Sequence, residues 1–433
     1  MVFRSFGLAA TTGPISTKGE IMKLFRKNLT ATAVCLALGG FASSAFAGGL
    51  GIGTQSGSGT GNAFAGGAAS AEDASTVWYN PAGMMALPGK TNYAISGHLL
   101  KPSFKFENNG STLPVGSGEG GDGGGWHLIP QGFISHKLDD KLSIGAAFNT
   151  PFGLETEYDR GWRGQAIALQ SALKTYNLNL AAAYRIDDIM SIGAGINFQR
   201  AELKFNSQIA IGFVEPTLHD TGIGWNFGAL FQPSPQTRVG IHYRTPINYT
   251  ASGTLLAPAL LGGNGYAQAG LTTPDSMSFS AFHALNSRWD VMADITWTGW
   301  SHVKRLDVVR TSGPLSGTAP VSLTFNWEDT MRYSVGANYK YNDAWKFKVG
   351  VAFDETPTNQ TDRTARLPDE NRRWLAFGAQ WKLSKSGVLD FGYAHEFISD
   401  AAINNRAPIT GQTLVGRFKD QADILSIQYS HSF

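Results

Sequence analysis

The chain is poor in cysteine, in charge and in long apolar runs, and each shortage removes a class of protein. Its one cysteine, Cys35, sits in an apolar stretch near the start, so nothing after residue 47 can form a disulfide, a thiolate nucleophile or a cysteine metal site. A lipid-modified Cys35 would need a small residue before it, and Val34 stands there. Charged residues make up 16% of the sequence and the formal net charge is +2, which points to no nucleic-acid or acidic partner. Beyond residue 47 no stretch approaches the roughly 20 consecutive apolar residues of a membrane-spanning helix, and a mean hydropathy of −0.13 is too polar for a helical bundle. The nine histidines (His98, His127, His136, His219, His242, His283, His302, His395 and His431) are scattered singly. None has the His-x-x-x-His spacing of a metal site, and none points to a Ser-His or acid-His catalytic pair. No enzyme activity and no cofactor is expected.

The only long apolar run has its own explanation. Met22 is followed by Lys23, Arg26 and Lys27, then by an apolar segment from Thr30 to Phe41, then by Ala45-Phe46-Ala47. A basic head, a short apolar core and an Ala-x-Ala site describe a secretory signal peptide. Residues 1–47 are therefore expected to be a signal region cleaved after Ala47, with Met22 as the true start.

What the chain has in abundance is glycine, 52 residues, and aromatics at 12%. From residue 91 onward apolar and small or polar residues alternate with a period of two, the period of a strand with unlike faces. At the end Leu425, Ile427, Tyr429, His431 and Phe433 share one face, opposite Ser426, Gln428, Ser430 and Ser432. Fourteen strands are predicted: 91–106, 127–137, 141–150, 174–185, 190–203, 221–232, 237–250, 276–285, 288–307, 325–341, 345–355, 372–383, 387–398 and 422–433. Short turns alternate with long connections at 107–126, 151–173, 204–220, 251–275, 308–324, 356–371 and 399–421, which is how outer-membrane barrels are connected.

The distribution of bulk decides between a barrel and a soluble sandwich. The polar face carries Gly, Ala, Ser and Asn, whereas the other face carries the large residues. A sandwich hides its large residues; lipid outside and a small-residue interior explain the inversion. Closure also leaves no unsatisfied edge in hydrocarbon. The expected fold is all-β, a 14-stranded antiparallel transmembrane barrel over residues 91–433 in the bacterial outer membrane. The terminal Phe433 resembles the C-terminal signal read by the barrel assembly machinery. Residues 48–90 do not alternate, are rich in Gly and Ala, and read as a hatch filling a lumen too wide for side chains alone. Gly57-Ser58-Gly59-Thr60-Gly61 lacks the Lys-Ser/Thr ending of a phosphate loop and reads as tight packing.

Several stretches resemble one known family. Asn62-Ala63-Phe64-Ala65-Gly66, Ala71-Glu72-Asp73-Ala74-Ser75 and Tyr79-Asn80-Pro81-Ala82-Gly83 resemble the plug of the FadL/TodX outer-membrane transporters of long-chain fatty acids and aromatic hydrocarbons. Asn149-Thr150-Pro151-Phe152-Gly153-Leu154 is similar to the end of that family's kinked third strand, and Leu173 to Leu180 to its fourth. The longest likeness runs from Asn326-Trp327-Glu328-Asp329 through Pro368-Asp369-Glu370-Asn371-Arg372-Arg373-Trp374 to Gly392-Tyr393-Ala394-His395.

The resemblance implies passive uptake of a hydrophobic small molecule through an apolar pocket against the hatch, with sideways exit at the third-strand kink. It implies hatch roles for Asn62, Phe64, Asp73, Asn80, Pro81 and Ala82, and a lateral opening at Asn149, Pro151, Phe152 and Gly153. The 204–220 loop is shorter than in the best-known fatty-acid members, so an outer apolar groove of Ile211, Phe213, Val214, Leu255, Leu256 and Leu260 is expected to be small. Arg185, Arg200, Arg244 and Arg332 are candidate carboxylate binders or paired structural charges. The competing functions are a general diffusion porin and an outer-membrane lipid-active enzyme; an adhesin or phage-receptor role is compatible with transport. Besides the ligand, the expected partners are outer-membrane lipid or lipopolysaccharide, around a monomer.

Overall fold

A computed structural model describes residues 48–112, 116–407 and 411–433. The expected signal peptide lies outside the described residues.

The alternating segments form fourteen antiparallel strands. The first six are Thr91–Asn108, His127–Lys137, Leu142–Asn149 resumed at Gly153–Glu157, Gln170–Arg185, Met190–Ile209 and Gly212–Ser234. The seventh is Thr237–Arg244 resumed at Ile247–Leu256, and the eighth is Gly265–Thr273 resumed at Ser276–Ala284. The ninth, Trp289–Thr298, is prolonged by Arg305–Arg310, and the tenth, Thr330–Lys340, is preceded by Val321–Thr324. Trp345–Asp354, Arg372–Lys382, Gly387–Ile398 (prolonged by Ala401–Arg406) and Thr413–Ser432 complete the set. Each strand pairs with the next, and the fourteenth pairs with the first from Asn92↔Ser432 to Asn108↔Gly416, which closes the barrel.

The faces sort as the alternation requires. Leu128, Ile134, Leu178, Trp225, Phe279, Val335, Phe377 and Ile427 are exposed on the outside. Ser96, Gln131, Asn177, Asn197, Asn226, Asn338 and Gln428 are buried on the inside. Transfer to lipid explains an arrangement that water would oppose.

Four of the expected outer loops are corrected. Segments 204–220, 251–275, 308–324 and 399–421 are largely β-hairpins that carry the wall beyond the membrane. Alternation persists through them, with Leu203, Phe205, Val214 and Leu218 facing inward, and pairing satisfies backbone groups that a loop would leave to water. Their inward residues, with Phe104, Trp162, Leu306, Leu323, Trp327 and Phe418, form one apolar core in the extracellular half of the lumen. That half of the interior is greasy, which the small polar faces of the membrane-level strands do not suggest.

Residues 48–90 fill the other half. Short helices at Gly57–Thr60, Gly67–Ser70 and Thr76–Tyr79 are followed by a 3-10 turn at Pro81–Ala86. The first touches strands twelve to fourteen and one, the second strands six to nine, and Pro81–Ala86 strands two to six. Asn62 reaches strands ten and eleven. A segment in contact with the whole circumference can only lie inside it. The hatch backbone also explains the glycines: a β-carbon on Gly350 would lie 2.1 Å from the Asn62 carbonyl carbon.

Candidate functional site

Between the hatch and the outer apolar core lies a cavity of about 190 Å³. Its apolar wall includes Ile52, Phe64, Trp78, Tyr79, Pro151, Phe152 and Trp300, and its polar wall includes His242, Arg244, Asp294, Arg332 and Asp354. Phe152 and Trp300 meet edge to face at 6.2 Å between ring centres and also belong to the outer core, so the greasy interior continues into the cavity. On the far side of Phe64, Gly67 and Tyr79 lies a second, more polar cavity bordered by Glu72, Asp73, Arg238 and Lys346. The hatch is the partition between them.

The four candidate arginines separate clearly. Arg244 is 7% exposed and donates to the Asn197 side chain at 2.9 Å and the Trp78 carbonyl at 3.0 Å. Its guanidinium lies 3.3 Å from the centre of the Trp78 ring, and no carboxylate pairs with it among the described residues. Arg332 is engaged: it donates to the Ala63 carbonyl at 2.8 Å and faces Asp354 at 3.8 Å. Arg185 is a hatch anchor at the periplasmic end, holding the Met85 carbonyl at 2.6 Å. Arg200 is corrected: it points away from the lumen and pairs with Glu202 at 2.8 Å, because its even number puts it on the outward face of the fifth strand. His242, two residues before Arg244 on the same face, brings a buried Nε2 without a partner to the cavity wall.

The third strand breaks at 150–152, where the family resemblance implied a kink; Pro151 has no N–H and Gly153 no side chain to keep the ladder continuous. Its lower part pairs with the second strand only from Gly132↔Phe148 to Lys137↔Ser143. Second-strand residues 127–131 therefore have a ladder partner on the first strand and none on the third. This leaves a gap in the wall beside Pro151 and Phe152, which also line the cavity. The first hatch residues close it from inside. Ile52 N–H donates to the Pro151 carbonyl and Gly153 N–H to the Leu50 carbonyl, each at 2.8 Å. Gln55 donates to the Thr150 carbonyl at 2.9 Å and accepts from the Asn149 amide at 2.6 Å.

The hatch residues anchor it to the wall. Asn62 donates to Asn338 at 3.0 Å, Phe64 meets Trp374 edge to face, and Asp73 accepts from Gln428 at 2.7 Å. Asn80 is fully buried and donates to the carbonyls of Ala68 at 2.7 Å and Ala229 at 2.9 Å, while its own oxygen caps the Ala82 N–H at 3.1 Å. Pro81 and Ala82 lie against Gly193 of the fifth strand. Glu72 is held by Lys346 at 2.8 Å and Lys348 at 2.9 Å. Burial opposes its charge, but the two ammoniums outweigh that and keep its carboxyl well below the ordinary range.

The expected outer groove does not assemble. Val214 and Leu255 are buried in the apolar core, whereas Phe213 and Leu256, their sequence neighbours, are exposed. Ile211 sits exposed at a hairpin turn and Leu260, 78% exposed, in another. In strands, neighbours face opposite ways, so consecutive apolar residues cannot line one groove. The loop 356–371, to which the sequence reading gave no part in the site, instead dips into the barrel mouth. Its Arg366 is buried and held by Ser171 at 2.9 Å and Ser207 at 2.6 Å, and its Ala365 and Leu367 join the outer core. The sequence also concealed a Ser-His contact, His98 to Ser426 at 2.7 Å. Gln131 takes the place of a carboxylate there, and both residues are buried under Thr60 of the hatch.

A sequence profile described as outer membrane protein transport protein (OMPP1/FadL/TodX) matches residues 39–433. This chain belongs to that family. It is an outer-membrane transport protein, not an enzyme. It is 27% identical over 424 residues to outer membrane protein P1 of Haemophilus influenzae, across 86% of this chain and 90% of that one. It is 25% identical over 436 residues to the long-chain fatty acid transport protein of Escherichia coli, across 88% and 94%. Among solved structures, a Pseudomonas aeruginosa FadL homologue superposes with a TM-score of 0.83 at 23% identity, covering 89% of this chain and all of that one. The Ralstonia pickettii toluene transporter TbuX superposes at 0.63 with 18% identity, covering 87% and 98%. These likenesses establish a shared barrel-and-hatch fold.

Proposed function

We propose that this protein takes up hydrophobic molecules bearing an acidic head, binding the head at Arg244 and releasing the molecule sideways through the break at Pro151–Phe152. The observation behind this reading is Arg244 itself, a buried cation that pairs with no carboxylate among the described residues and faces a cavity walled on one side by Phe64, Trp78, Tyr79, Phe152 and Trp300. A buried charge without a counter-charge is costly, by several kcal/mol, and a ligand carboxylate offsets that cost. The fatty-acid transporters among its relatives carry such ligands. Burial of each methylene adds about 0.8 kcal/mol, and the greasy outer core lies on the way in. Sideways release returns the chain to hydrocarbon instead of a wet channel, provided residues 50–52 peel away from 151–153.

A second reading rests on cavity size. About 190 Å³ is comparable with engineered apolar cavities of about 150 Å³ that take up benzene, and Trp78, Phe152 and Trp300 offer ring faces. An uncharged monoaromatic would fill it without moving the outer core, whereas a long acyl chain would displace part of that core.

Replacing Arg244 with Met separates the two. For a fatty acid the expected loss in affinity is about tenfold or more, since charged hydrogen bonds contribute about 1.5–3 kcal/mol, while toluene binding changes little. Calorimetry on the detergent-solubilised protein reads both. Fatty-acid binding that survives the substitution unchanged refutes the acidic-head reading, and swelling of liposomes by sugars would restore the porin alternative.

A further inference from the structure

We infer that the outer wall formed by strands twelve, thirteen, fourteen and one carries a binding site for a phosphorylated, multiply acylated glycolipid of the outer leaflet, of the lipid A type. Two features of different kind meet there. The first is an apolar crease on the lipid-facing surface, bordered by Leu99, Leu128, Tyr393, Leu425 and Ile427 around Gly97. A side chain on Gly97 would point into it, and only the tip of Leu128 comes near, at 3.9 Å. The second is a group of charges immediately toward the extracellular end of the same strands. Pairing places Lys101 beside Asp423, Asp423 beside His395, and His395 beside Leu375. Arg373, Lys105, Lys419 and Arg417 follow one to three steps further out and are exposed.

The acids in this patch are already engaged. Glu107 is held by Arg417 at 2.8 Å and Lys419 at 2.5 Å, and Asp400 by Arg417 at 3.2 Å. Asp423 accepts from His395 and the Tyr393 hydroxyl, both at 2.8 Å, and Asp122 accepts from the Ser103 hydroxyl and two backbone N–H groups. Lys101, Lys105 and Arg373 make no direct ion pair with a carboxylate among the described residues; Lys101, across the ladder from the engaged Asp423, lies over the exposed Trp126 ring at 5.2 Å. Trp126, Tyr393 and Phe397 are exposed at this level, which marks the headgroup interface where aromatic girdles lie.

Lys101 and Arg373 stand three strand spacings apart, roughly 14 Å. Two cations so separated suit a headgroup with two phosphates held apart by a sugar framework better than one phosphate. Lys105 lies about 13 Å further along the first strand, at the level of the sugars beyond. The crease beneath takes an acyl chain. A phospholipid with one phosphate would satisfy only one end of the patch.

The test is native mass spectrometry of the detergent-purified, full-length protein titrated with bis-phosphorylated lipid A, dephosphorylated lipid A and phosphatidylglycerol. Lipid A is expected to bind at least tenfold more tightly than the other two. The triple variant Lys101→Glu, Lys105→Glu and Arg373→Glu should lose that preference, and Gly97→Leu, which fills the crease, should weaken lipid A with the cations intact. Lys382→Glu, at the periplasmic end, should leave binding unchanged. Equal binding of phosphatidylglycerol, or lipid A affinity within twofold in the triple variant, overturns the assignment. Heat-dependent gel mobility of each variant confirms a folded barrel.

Discussion

Asn80→Ala is the sharpest perturbation of the hatch. The side chain is fully buried and makes three hydrogen bonds, to the Ala68 and Ala229 carbonyls and from the Ala82 N–H. Truncation leaves two carbonyls and one amide without those partners in a site closed to water. Loss of the cap alone costs about 1 kcal/mol, and each stranded carbonyl about 1 kcal/mol at the low end. The sum, about 3 kcal/mol, shifts hatch docking by more than about a hundredfold, since 1.4 kcal/mol is tenfold. Amide hydrogen exchange across residues 57–86 should accelerate by that factor while strand amides and heat-dependent gel mobility stay unchanged. Asn80→Asp keeps the oxygen that caps Ala82 but turns lone pairs toward the two carbonyls, so it should be no better than alanine. Gly228→Ala attacks the same contact from the wall, placing a carbon 2.0 Å from the Asn80 oxygen, and should act in the same direction. Wild-type exchange in the hatch of all three variants would refute the claim that Asn80 locks it to the barrel.

Other consequences follow from the same geometry. Glu72 has its folded-state carboxyl held below the unfolded value, so its contribution is present above the ordinary glutamate range and lost only as pH falls through the depressed value. Glu72→Gln should therefore weaken hatch protection at neutral pH, and the difference between wild type and this variant should be as large at pH 5; a difference that vanishes near the ordinary glutamate pKa contradicts this. Deleting residues 50–52 removes the inner partners of Pro151 and Gly153 and should speed ligand release in a vesicle uptake assay; unchanged rates would mean that these residues are not the latch. Phe433 is 68% exposed at the periplasmic rim, with its backbone bonded to Thr91 and Lys90. If the assembly machinery reads it, Phe433→Ala should lower the yield of folded barrel in cells but not its melting temperature once folded.

Much of the fold is legible because a two-residue period leaves little freedom. Once Leu425 and Ile427 face lipid, Ser426 and Gln428 must face in, and the same logic runs back strand by strand to residue 91. The hatch is legible for the opposite reason: 48–90 breaks the period and is small enough to fit a lumen that fourteen strands cannot fill. The period failed at the outer connections, where mixed polar residues masked strands that continue as hairpins. That is why Phe213 and Val214, read as one apolar groove, lie on opposite faces. Face parity would have set Arg200 apart as outward and paired His242 with Arg244. It could not have ranked Arg244 above Arg332, since Asp354 becomes the neighbour of Arg332 only across a strand pair.

The sequence by itself determined a barrel with lipid outside, its strand number and its small-residue inner face, because those follow from local periodicity, while the break after Asn149 was legible only through the family resemblance. The tertiary structure alone decided which of the four candidate arginines faces the cavity without a carboxylate partner, which hatch residues close the gap beside Pro151, and that the mouth is filled by an apolar core and the 356–371 loop. Those are contacts between residues a hundred or more positions apart in the chain, such as Leu50 with Gly153 and Arg366 with Ser171. No local pattern encodes them, since each depends on how the closed wall brings distant side chains to the same depth.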